Sequence, residues 1–476
     1  MEDPNAHQLR DSEKQDACHI STIPAETLTS IFLACVQDRM QKNGCCDPIS
    51  ETSPPLVFLS VCKRWRQLAM SQPGLWRILR VHTMHLNHIR MMSRWLQFAN
   101  QQPLSICLDA GYADGIADLA LDVILEHQSS WSEVELRWRS PNVLPLFGNL
   151  FTPHHAPLLQ KFTIVTEFED FSDAESPLDA RLGRMLAGSS QIHSFEWKTD
   201  QLYDTMEPVH LSTIPFGSLR QLKLGCSMAF SCCLEVLCHT PLIECCEFTY
   251  VQNVHEHSFS GPICLPHLHS LCIKTDSNME NFLDTLTLPS LQRIEVVFRI
   301  SSGDKDSEDE LAGDFGPWPH AEFLSLLQRS ACPLEELTLV APVAEDALLE
   351  YLHLASLTMK TISLRGKLGW ASIGQRALKL LTILPNSTEG ILCPNIRKIR
   401  FDNCIIGPLP QNSMADMIQS RMLYCAHNRS RESPLEVYLS APVDFVDEED
   451  WRRLTVSKRR SAGKARIHLV ELPCLL

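Results

Sequence analysis

Leu334-Glu335-Glu336-Leu337-Thr338-Leu339 holds the pattern on which the fold turns: leucine, two polar residues, then an apolar-x-apolar pair, placed just after Pro333. Strict alternation over the last three positions buries one face of a strand and leaves the other wet. The phrase recurs along the chain. Pro103-Leu104-Ser105-Ile106-Cys107-Leu108, Trp131-Ser132-Glu133-Val134-Glu135-Leu136 and Leu159-Gln160-Lys161-Phe162-Thr163-Ile164 carry it, as do Ile192–Trp197 and Leu219–Leu224. Pro241–Cys246 is a degenerate copy; Leu268–Ile273, Leu291–Val296, Met359–Leu364, Ile396–Phe401 and Pro434–Leu439 follow. The first strand residue of each copy falls at 106, 134, 162, 195, 222, 246, 271, 294, 337, 362, 399 and 437. Most intervals lie near a period of about 20–29 residues, the signature of stacked supersecondary units.

Between the strands lie helical stretches: Gly115–His127, Ala180–Leu186, Met228–Cys238, Met279–Leu286, Ala321–Ser330, Glu345–Ala355 and Ile373–Leu384. Each strand then pairs in parallel with the next, and each helix covers the outer face, giving an α/β solenoid. The pattern resembles divergent leucine-rich repeats, although the usual Asn position of that repeat is not reliably filled. The longest interval holds the acidic stretch Ser301–Gly316, after which Trp318, with Phe315 before it, is expected to tuck back onto the repeats. A second excursion spans Gly407–Ser413.

The N-terminal part reads differently. Thr22-Ile23-Pro24-Ala25-Glu26 begins a helix: Pro suits its first turn, Thr22 its cap and Glu26 its dipole. Leu28, Ile31, Phe32, Cys35 and Val36 then form one apolar stripe. A second helical run spans Leu56–Met70, with Val61, Trp65 and Leu68 among its apolar positions, and Pro73-Gly74 stops it. So few residues in short helices cannot bury all their apolar surface, which leaves some for a partner.

This segment resembles an F-box: hydrophobic-Pro, an acidic residue, Leu, Ile-Phe, then Val61-Cys62-Lys63-Arg64-Trp65, and Pro73-Gly74-Leu75-Trp76 as in fungal members. The resemblance implies a three-helix domain over residues 20–80 with a loop insert at 38–54, preceded by a disordered tail at 1–19 and followed by the repeats over 81–476. It also implies docking to a Skp-family adaptor, and through it a cullin, by Ile23, Pro24, Leu28, Ile31, Phe32, Val61, Cys62 and Trp65. Trp65 and Leu68 also serve the module's own core, while Leu75 and Trp76 weld the module to the first repeat.

Composition narrows the remaining classes. The chain has 476 residues, 44% of them hydrophobic, with 42 Lys and Arg against 57 Asp and Glu for a formal net charge of −15. That balance disfavours nucleic acid and anionic membrane as partners. No run of about 18 apolar residues spans a membrane. The polar stretch Met1–Ala17 lacks the apolar core of a secretory signal. A cytoplasmic or nuclear site is expected, where the 19 cysteines stay reduced and act as small hydrophobes.

Catalytic and metal motifs fail one by one. Cys264, His267, His269 and Cys272 lie in or beside a strand, whose alternation prevents tetrahedral convergence. Cys226, Cys232, Cys233 and Cys238 meet the same objection, and His154-His155 is a turn pair. Ser307 precedes three acidic residues, a context for acid-directed phosphorylation, within a stretch that lacks the EF-hand Gly. Lys458-Arg459-Arg460 reads as a solvated turn before the last strand. No nucleophile elbow, P-loop or zincin motif is present. What the F-box resemblance implies is a non-catalytic substrate-recognition subunit of a ubiquitin ligase, with no cofactor and no metal and with an unknown protein as substrate; the alternative is a protein-binding scaffold outside any ligase.

Overall fold

The computed structural model describes residues 23–43, 52–82, 85–109, 114–138, 156–166, 189–199, 216–225, 228–252, 261–298, 318–366, 370, 372–384, 391–428, 434–460 and 465–472. The tail 1–19, the acidic stretch 301–316 with Ser307 and Phe315, the helix expected at 180–186, Cys226 and the pair His154-His155 lie outside the described residues. The chain forms two compact units, Met1–Gln160 and Lys161–Leu476.

The first unit starts with three helices, α1 (Ala25–Asn43), α2 (Leu56–Val61) and α3 (Lys63–Met70). α1 runs on through Asp38–Asn43, which the sequence assigns to a loop, because Arg39, Met40, Gln41 and Lys42 are all good helix formers. Cys62 breaks α2 from α3 in an extended conformation, and its Sγ accepts the Trp65 N–H at 3.4 Å as an N-cap. Three parallel strands follow, β1 (Ile78–Val81), β2 (Leu104–Asp109) and β3 (Trp131–Trp138), linked by α4 (Leu86–Ala99) and α5 (Asp114–Leu125). Leu79 stands level with Ile106, and Ile106 with Val134.

Trp76 joins the helices to this sheet. Its indole N–H donates to the Ala69 carbonyl at 2.8 Å, its own carbonyl accepts from the Trp95 indole at 2.7 Å, and its ring packs edge-on against Trp95. Trp131 repeats the first bond, donating to the Ile124 carbonyl seven residues upstream at 3.1 Å. α3 therefore sits before β1 as α5 sits before β3.

The second unit holds β4 (Lys161–Thr166), β5 (Ser194–Thr199), β6 (Gln221–Gly225), the short β7 (Met228–Ala229), α6 (Phe230–Cys238) and β8 (Cys245–Gln252). Next come β9 (Ile263–Cys264), β10 (Ser270–Thr275), α7 (Glu280–Thr285), β11 (Leu286–Thr287), β12 (Arg293–Phe298) and α8 (His320–Ser330). β13 (Glu336–Val340), α9 (Glu345–Leu354), β14 (Thr361–Arg365), α10 (Gln375–Leu381), β15 (Lys398–Asp402), α11 (Ser413–Asn428), β16 (Leu435–Pro442), α12 (Glu448–Arg460) and β17 (Ala465–Leu472) complete it. The parallel sheet runs β4-β5-β6-β8-β10-β12-β13-β14-β15-β16-β17, with β7 on β8 and a separate β9–β11 pair.

The sequence markers align in register: Phe162, Phe195, Leu222, Cys246, Leu271, Ile294, Leu337, Ile362, Ile399, Val437 and finally Ile467 stand level. All are buried, as is the next alternate residue in each strand up to Leu439. Among the described residues backbone carbonyls close the turns. The carbonyls of Arg220, Glu244, His269, Gln292, Glu335 and Lys360 each accept two N–H groups from the following repeat.

Helix ends are satisfied by side chains from neighbouring elements. Glu345 accepts from Gly374 N and Ala377 N at 3.0 and 2.7 Å, capping α10. Arg421 on α11 is fully buried and donates to the carbonyls of Leu381, Cys393 and Leu392 at 2.7–2.8 Å. Burial lowers its guanidinium to about 10, so it stays charged at neutral pH. Arg329 on α8 does the same for α7, through the Leu283 and Leu286 carbonyls. Trp318 packs back as expected, its indole donating to the Tyr351 hydroxyl at 2.9 Å. Lys458 and Arg459 lie in the last turn of α12 rather than in a turn, where they complement the helix dipole.

Arg421→Ala orphans three buried carbonyls, so urea unfolding should show a loss of about 3 kcal/mol. Arg421→Lys, lacking the planar fork, should recover only part of it. A loss below about 1 kcal/mol would contradict this bonding.

Candidate functional site

The adaptor residues inferred from the sequence divide into two groups in the structure. Leu28 and Phe32 are buried, at 1% and 0% exposure. Phe32 stacks on Phe58 with ring centroids 4.0 Å apart and meets Trp65 edge-on at 4.9 Å. These side chains hold the three helices together, so Leu28 and Phe32 are core residues, and Trp65 is half-buried against them. The reason is geometric: Ile31 and Phe32 are neighbours in sequence but about 100° apart around α1, and only one can face Phe58.

Ile31 and Val61 remain 42% and 51% exposed, and Pro24 and Cys62 are exposed as well. Ile23 is half-buried, its carbonyl accepting from Arg64 Nη2 at 2.5 Å. Met70 is a further exposed apolar residue, at 42%. It was legible as the last residue of the second helical run, one step beyond the buried Ala69.

The second surface is the open face of the strands in the Lys161–Leu476 unit. Side chains alternate, so the residues between the buried markers point away from the core. Over β5–β10 they form a charge ladder. Glu196 meets Lys198 and Lys223 at 3.0 and 3.8 Å, and Glu247 meets Lys223 and Lys274 at 3.6 and 2.9 Å. Burial raises the Glu247 carboxyl, but the bonds from Lys274 and Lys223 outweigh it and hold the group below its ordinary value. Over β14–β16 the face carries Arg365, Lys398, Arg400 and Tyr438, with the Arg400 guanidinium 4.4 Å above the Tyr438 ring.

Among the described residues the cysteine and histidine candidates do not assemble into a centre. Cys264 and His267 are exposed. His269 Nε2 lies 3.4 Å from the Cys245 Sγ, beside an open groove of about 400 Å³ lined by Glu244, Pro266, His267, His269, Ser290 and Gln292. Burial pushes the Cys272 thiol up to about 12, and nearby Glu295 and Glu247 add to the shift. Burial likewise raises Cys245. Such thiols stay protonated at neutral pH and are poor nucleophiles. Among the described residues no three His, Cys, Asp or Glu side chains converge on a metal position, and no helix is long and apolar enough to cross a membrane.

No protein-family model matches the chain, and no curated protein does. Among solved structures it matches a crystal structure of a Bacteroides fragilis protein, at 16% identity and a TM-score of 0.31. The match takes in 56% of this chain and 64% of that one, so this chain spans less than two thirds of that protein's length. At that score the likeness carries no argument about fold or function.

The Glu247 pairing gives a signed pH effect. A carboxylate held low in the folded state stabilises above its unfolded value, and this contribution fades as pH falls through the folded value. Wild type should exceed Glu247→Gln by less than about 1 kcal/mol in urea unfolding at pH 7. The gap should close below the carboxylate range; a gap constant from pH 7 to pH 3 would contradict the ladder.

Proposed function

We propose that the chain is the substrate-recognition subunit of a cullin-type ubiquitin ligase. Residues 20–80 act as an F-box on a Skp-family adaptor, and the leucine-rich-repeat-like strands hold a protein for ubiquitin transfer. The observation that carries this reading is the division of the helical module. It closes its own core with Leu28, Phe32, Phe58 and Trp65 yet leaves Ile31 and Val61 exposed, within the sequence pattern that resembles an F-box. An apolar side chain left wet on a small module gains by burial against a partner, about 25 cal/mol per Å².

The rest of the chain supplies a fitting cargo surface. A parallel sheet with one face under helices leaves the other as a continuous array of side chains, and the Trp76 bonds fix the module against the first strands. Catalysis then belongs to other subunits. This chain contributes proximity, turning a bimolecular encounter into an effectively intramolecular one.

The test is a pull-down of adaptor and cullin on the full chain, wild type against Ile31→Asp/Val61→Asp. Leu28 is unsuited to this purpose, since a carboxylate at a 1%-exposed position would unfold the module. Wild type should capture both partners. The double variant, folded by circular dichroism, should lose at least tenfold of each. Wild type that captures the adaptor without cullin, or neither of them, would end the ligase reading in favour of a scaffold outside any ligase.

A further inference from the structure

We infer that the open face of β14–β16 is the docking site for an extended, acidic segment of the partner protein, with carboxylates at alternate positions. This rests on the reading of the repeats as a cargo surface and names the chemistry of the cargo.

In the charge ladder on β5–β10 each glutamate is ion-paired to two lysines. The face beyond it differs. Arg365 and Lys398 are exposed and make no ion pair among the described residues. The carboxylates within reach are already committed: Asp402 to Arg400 at 3.1 Å and Glu436 to Arg466 at 3.2 Å. Asp402 stands level with Arg365, and Glu436 with Lys398, yet each is drawn to another arginine. Among the described residues the next carboxylate at that level on the β13 side, Glu336, lies two strands from Lys398, beyond Thr361. An unneutralised cationic spot therefore stands on a chain whose formal net charge is −15.

The spacing selects the occupant. On β15, Lys398 and Arg400 are two residues apart, and Arg365 on β14 is level with Asp402, two residues further along. The three cations thus occupy successive open-face levels about 6.6 Å apart along the strand direction. An extended chain presents same-side side chains at that same two-residue step, so acids at i, i+2 and i+4 meet all three together. Arg400 is the pre-organised member, held by Asp402 and by the Tyr438 ring, which reduces the ordering cost on binding. Ser363, level with Arg400, and Thr361, level with Lys398, place hydroxyls beside them.

The test is fluorescence anisotropy of the full chain with a fluorescein-labelled peptide containing Glu-Ser-Glu-Ser-Glu, at about 50 mM salt, where screening is weak. Wild type should bind it at least tenfold more tightly than a peptide with the three glutamates contiguous, and not bind the Lys-Ser-Lys-Ser-Lys counterpart. Arg365→Glu/Lys398→Glu should lose at least tenfold in affinity, and Arg365→Ala/Lys398→Ala a smaller factor. Lys161→Ala, removing an isolated exposed lysine on β4 of the same unit, should change nothing. No binding by wild type, or equal binding by wild type and both double variants, would overturn the proposal. So would binding only by a peptide with phosphoserines in place of the glutamates. Adaptor capture by the Arg365/Lys398 variants should match wild type, and peptide binding by Ile31→Asp/Val61→Asp likewise. Failure here and failure of the ligase reading are therefore read from different surfaces.

Discussion

The shared register of the parallel strands is the constraint on which the rest depends. In the second unit one buried residue per strand, from Phe162 to Ile467, stands level with its neighbours. A slip of one residue would bring every charged side chain of the open face into the core. The register also fixes the order of residues across that face. It sets Glu196, Lys223 and Glu247 side by side as a ladder and leaves Arg365 level with an aspartate already taken. Neither arrangement is visible from residue types alone, because each depends on which strand lies beside which.

A second constraint acts in the first unit. Trp76 ends the helical module and also fills the position that leucine holds in the repeat phrase: Trp76-Arg77-Ile78-Leu79-Arg80-Val81 follows the form of Trp131–Leu136, except that Ile78 replaces a polar residue. Both indoles reach back seven residues to a carbonyl at the end of the preceding helix. One residue thereby belongs to two structures. The module is bonded into the sheet as though α3 were the helix of a repeat, and its exposed residues inherit a fixed orientation relative to β1.

The strand phrase was legible because alternation with a preceding leucine is a strong local signal, and the marker positions 106 to 437 all proved to be buried strand residues. β1 was hidden by Trp76 in the leucine position, although Trp131 in a recognised copy was the clue. β7, β9 and β11 span two residues each, too short for any periodicity. α4 and α11 lie outside the helical stretches read from the sequence, although His85 and His88 form a capping box at the start of α4. In the module, an apolar stripe identified α1 correctly. It did not separate Leu28 and Phe32 from Ile31, since that depends on where α2 and α3 pack. The roles of Arg421 and Arg329 were illegible for a related reason: each is satisfied by carbonyls of a different repeat, across about 40 residues of sequence.

The two proposed docking surfaces would serve two different proteins at once. Cross-linking mass spectrometry on the full chain, purified with its partners under native conditions, tests this most directly. Lys63 reports on the helical module and Lys398 on the open strand face, and both side chains are exposed. Cross-links from Lys63 to an adaptor subunit and from Lys398 to a second, distinct protein in the same particle are the predicted result. Cross-links from both lysines to one and the same protein would contradict it.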